Sequence, residues 1–80
     1  MNELYTFSLT FPCKDMDDFD YLNETVHAAL GQPDGAGTDL FSGLRDMSWC
    51  GLQKSEAHAM YKRAKKISID GLKTSVTKET

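Results

Sequence analysis

Five carboxylates stand close together early in the chain: Asp15, Asp17, Asp18 and Asp20 within DMDDFD, and Glu24 a turn beyond. Grouped oxygen ligands suggest calcium first. An EF-hand loop, however, needs oxygen donors at its first, third and fifth positions and glycine at its sixth. Counted from Asp15, the fifth position is Phe19 and the sixth is Asp20, so the pattern fails. Acids at this place instead suit the positive end of a helix. A second group, Lys62, Arg63, Lys65 and Lys66, offers cations to phosphates, with Tyr61 or Trp49 as partners for stacked bases. The region around Leu44–Cys50 lacks the K/R-G-F/Y-G/A-F pattern of an RNA-binding sheet.

Other chemistries find less support. Gly35, Gly37 and Gly43 belong to no phosphate-binding motif. His27 and His58 have no further ligands at zinc spacing. Cys13 and Cys50 lie far apart without a C-x-x-C, so two reduced cysteines are expected, with Cys50 buried and Cys13 in a loop. No catalytic residue, metal or cofactor is assigned, and the chain is read as a non-enzyme.

The elements that position these residues follow from periodicity. LYTFSLTF, residues 4–11, alternates Tyr5, Phe7, Leu9 and Phe11 against Leu4, Thr6, Ser8 and Thr10, as a strand with one buried face does. Pro12 ends it. Phe19, Leu22, Val26 and Ala29 or Leu30 make a helical stripe, capped at Asp17 or Asp18 and closed by Gly31 and Pro33. Residues 31–38, GQPDGAGT, read as a loop. Asp39–Phe41 is a candidate short strand, turning at Ser42-Gly43 into Leu44–Cys50; a single irregular strand is the alternative. Ala57, Met60, Tyr61, Ala64 and Ile67 define a second helix beginning at Gln53 or Ser55. Leu72, Thr74 and Val76 alternate with Lys73, Ser75 and Thr77 as a last strand.

Residues 1–80 are expected to form one small domain, an α/β (α+β) two-layer sandwich. The expected arrangement is ferredoxin-like, βαββαβ, with an antiparallel sheet and two helices on one face. Right-handed crossovers place the first strand in the sheet interior, beside the third and fourth. Trp49 falls in the core or on the open sheet face, where it becomes an apolar anchor.

Net charge is −3 and unevenly spread. Residues 1–40 carry eight acids against Lys14, and residues 41–80 eight bases against four acids. No signal peptide or membrane span is read, so the expected compartment is the cytoplasm. In length, acidic balance and lack of a catalytic constellation, the chain resembles small phage and mobile-element proteins that inhibit host machinery, anti-CRISPR proteins among them. The likeness is one of overall profile. It implies a protein partner, with Asp15, Asp17, Asp18, Asp20 and Glu24 facing a basic nucleic-acid-binding groove. A nucleic-acid-binding module using helix two's basic end is the alternative. A self-associating or small-ligand-binding domain is another, and the choice between monomer and homodimer stays open.

Overall fold

The computed structural model describes residues 3–13, 16–39 and 41–79, without the side chains of residues 16–18. In chain order the elements are β1 (Tyr5–Pro12), α1 (Met16–Leu30), β2 (Gly35–Asp39), β3 (Leu44–Leu52), α2 (Lys54–Lys65) and β4 (Lys73–Lys78). They build a small α+β fold with one four-stranded antiparallel sheet in the order β2-β3-β1-β4.

The alternation in β1 sets the core. Phe7, Leu9 and Phe11 are buried, while Ser8 and Thr10 between them face the other side. Across the ladders Phe7 meets Trp49 of β3 and Val76 of β4, and Leu9 meets Met47 and Thr74. Val26 and Leu30 of α1 and Met60 and Ala64 of α2 join the same buried cluster, so both helices cover this sheet face. Burying a side chain the size of Phe7 or Leu9 contributes about 1.5–3 kcal/mol.

A bulge in β3 completes the core. Tyr5 pairs with Leu52 but Phe7 with Trp49, so β3 carries one residue more than β1 over the same interval. Trp49 and Leu52 would otherwise point to opposite faces. The extra residue turns Leu52 back toward the core, against which it packs. Gly51 sits there at φ +65°, a region that costs other residues about 1–2 kcal/mol. Nearby, the Cys50 N–H donates to Asp34 Oδ2 at 2.7 Å and the Gly51 N–H to Glu79 Oε2 at 2.9 Å.

Several expectations need correction. The glycine-rich segment is not all loop: Gly35–Asp39 is β2, paired with Leu44–Ser48, so the middle of the chain is a hairpin. Phe41 belongs to its turn, wholly exposed, not to a strand at 39–41. Asp39 shapes that turn, because its Oδ1 accepts the Phe41 N–H at 2.9 Å and Gly43 closes it at φ +70°. Helix α1 starts at Met16, which puts Asp17 and Asp18 in its first turn instead of at its cap. Cys50 is exposed, not buried, on the sheet face away from the helices, and no disulfide joins it to Cys13. Trp49 is 5% exposed, which places it in the core and removes it as a surface anchor.

Candidate functional site

Helix α1 presents the acidic surface. Asp20 and Glu24 are exposed and one turn apart, and Tyr21 between them is 68% exposed. Asp17 occupies the position one turn before Asp20 and Tyr21. Asp15 lies outside the described residues, as do the side chains of Asp17 and Asp18. Tyr21 is an addition to the expected site. Its signal was present in the sequence, because Tyr21 falls off the Phe19–Leu22–Val26–Leu30 stripe that α1 turns inward.

Arg45 of β3 fixes how α1 lies. It points to the helix-covered side, where its guanidinium sits 4.7 Å from the centre of the Phe19 ring. Its Nε donates to Asn23 Oδ1 at 3.3 Å, and another guanidinium nitrogen donates to Thr38 Oγ1 at 3.1 Å. One side chain thus ties α1 to both strands of the hairpin. This turns the opposite helix face, with Asp20, Tyr21 and Glu24, outward.

Helix α2 presents the opposite sign. Its start is held by the Gln53 N–H donating to Glu56 Oε1 at 3.1 Å. At its other end Lys62, Arg63, Lys65 and Lys66 are all exposed. Lys65 Nζ lies 4.8 Å from the centre of the Tyr61 ring. Arg63 and Lys66 border a shallow interhelical groove with Thr25, Ala28 and Ile67. Among the described residues the one ion pair is Glu3–Lys78, at 2.9 Å. Asp20 and Glu24 of α1 and the bases of α2 therefore have no ion-pair partner among the described residues.

The sheet face away from the helices is rich in hydroxyls. Gly35, Ser48, Ser8 and Ser75 form a row across all four strands, followed by Gly37, Asp46, Thr10 and Lys73. These two rows contain no aromatic ring on which a base would stack. Among the described residues no cluster of His, Cys, Asp or Glu has the makings of a metal site. His27 Nε2 and Trp49 Nε1 are buried without a hydrogen-bond partner among those residues. No helix described is long and apolar enough to cross a membrane.

Comparison with known proteins adds no relative: no family model, curated protein or solved structure matches this chain.

Proposed function

We propose that this protein is a non-catalytic binding module that engages a basic protein partner through the outward face of α1. The observation that carries the reading is Tyr21, 68% exposed between two exposed carboxylates that no described lysine or arginine neutralises. An exposed aromatic ringed by charge suits an interface, where tyrosine supplies buried area and the rim charges steer encounter. The profile shared with small phage and mobile-element inhibitors narrows the partner to a nucleic-acid-binding effector whose basic groove the carboxylates occupy. The ferredoxin-like reading of the fold is part of this proposal. It is supported by the element order and by β1 lying between β3 and β4.

The test is capture of partners from host lysate by the tagged protein, with and without nuclease. A defined protein set that survives nuclease, and is lost in Asp17→Lys/Asp18→Lys and in Tyr21→Ala, supports the reading. Proteins captured equally by the charge-reversed variant sink it.

A second reading has its own observation: Lys62, Arg63, Lys65 and Lys66 are exposed and unpaired by any described acid. A nucleic-acid backbone would be held there by charge alone, with affinity falling steeply as salt rises. Material that vanishes with nuclease favours this alternative.

A further inference from the structure

Helix α2 leaves part of the sheet edge bare. Val76 of β4 points to the helix-covered side, opposite Phe7, yet is 46% exposed. Beside it a trough of about 970 Å³ runs between α2 and β4, floored by Tyr5, Ala57, Tyr61 and Val76. That size lies at the top of the roughly 300–1,000 Å³ range of small-molecule sites, which combine an apolar lining with a few polar groups. The polar groups here share one character. Lys54 and His58 line the trough on successive turns of α2, and Gln53, Ser55 and Thr74 complete its polar wall. Among the described residues no carboxylate lines it, and the nearby Glu3 is engaged by Lys78 and by the Tyr5 hydroxyl, which donates to it at 3.1 Å. Lys54 is also the first residue of α2, where the helix dipole adds positive potential.

We propose that this trough binds a small carboxylic acid with an aromatic or branched apolar body. The body lies on Tyr5, Tyr61 and Val76, and the carboxylate faces Lys54 and the His58 imidazole. Charge complementarity fixes the class of ligand: an apolar floor with a cation and an imidazole at its rim favours an anion over a neutral body of the same shape. The site is separate from the acidic face of α1, so either proposal can fail alone.

The test is a titration of the isotope-labelled protein with phenylbutyrate, followed by amide chemical shifts, beside the neutral alcohol phenylbutanol. The expected result is saturable shifts confined to Tyr5 and its neighbours and to residues 53–61 and 74–76, with a Kd below about 1 mM. Phenylbutanol should bind about tenfold more weakly, and Lys54→Glu should weaken phenylbutyrate to a similar degree. Val76→Glu, at a partly exposed edge position, should abolish binding while leaving the spectrum of a folded protein. Equal binding of acid and alcohol overturns the proposal. So do shifts centred elsewhere, or no saturation by about 10 mM. Shifts at these residues that follow protein concentration without any probe would also overturn it, since a second copy would then be the occupant.

Discussion

The rings of Phe7 and Trp49 meet across the β1–β3 ladder with centroids 5.9 Å apart and planes tilted by 47°. They face each other in register, one at 0% and the other at 5% exposure, so each fills space the other leaves. Truncating Phe7 opens a cavity under both helices, and Phe7→Ala should cost about 3–5 kcal/mol. Urea unfolding measures this directly. A loss below about 1 kcal/mol would mean that the centre of the core lies elsewhere.

Gly51→Ala probes the bulge. A methyl group there meets no atom within 4 Å, so the cost comes from the positive φ and not from crowding. About 1–2 kcal/mol is expected. Full stability in thermal unfolding would show that β3 reaches Leu52 in another way.

Arg45→Ala should loosen α1 by removing the stacking on Phe19 and the hydrogen bonds to Asn23 and Thr38. A loss of about 1–2 kcal/mol is expected, only partly restored by lysine, which lacks the planar fork. Amide shifts should change along the Asn23 side of α1 and spare α2. Changes spread evenly over both helices would contradict this role.

Asp20→Lys/Glu24→Lys should separate binding from folding. Both side chains are exposed, so stability should stay within about 0.5 kcal/mol per substitution. Partner capture should be lost. Retained capture places the contact surface away from α1.

The pH dependence follows from two carboxyls. Lys78, and then the Tyr5 hydroxyl, hold Glu3 below the usual glutamate range. The Phe41 N–H, and then Ser42, do the same for Asp39. A carboxyl depressed on folding adds stability above its unfolded pKa, and this is lost as pH falls through the folded one. The urea midpoint should therefore drop between about pH 5 and pH 2, less steeply in Glu3→Gln/Asp39→Asn. Tyr5 has the opposite sign. Glu3 raises its phenol, so that contribution is present at neutral pH and lost in strong alkali. Parallel acid limbs in wild type and double variant would refute the assignment.

The strength of each local pattern decided how much of this was legible in sequence. Alternation in residues 5–11 marks β1 unaided, and the stripes Phe19–Leu30 and Ala57–Ala64 mark the helices, because burial imposes those periods directly. β2 left no such trace. Gly35, Ala36 and Gly37 have little strand preference, and they are extended because Ser48, Met47 and Asp46 stand opposite. The faces of β3 were ambiguous for a related reason: Arg45 shares the inward side with Met47 and Trp49, which makes sense only once Phe19 lies over it. Cysteine's usual burial misled at Cys50, which follows Trp49 onto the other face at the start of the bulge. The acidic face needed no folding to be seen. The trough did, since it depends on how much of β4 is left bare by α2.

Helix α1 has a further consequence for motion. Among the described residues its backbone closely approaches α2 but none of the strands, whereas α2 also approaches β1, β3 and β4. Side-chain contacts from one flank, chiefly Val26 and Leu30 with Leu22 and Ala29, and the Arg45 tether to Phe19 and Asn23 are what hold α1 down. An element anchored in this way opens at lower free energy than the sheet beneath it, so its amides should exchange with solvent ahead of those of β1. A protein docked on Asp20, Tyr21 and Glu24 would slow that opening, and the protection it confers would report its own affinity.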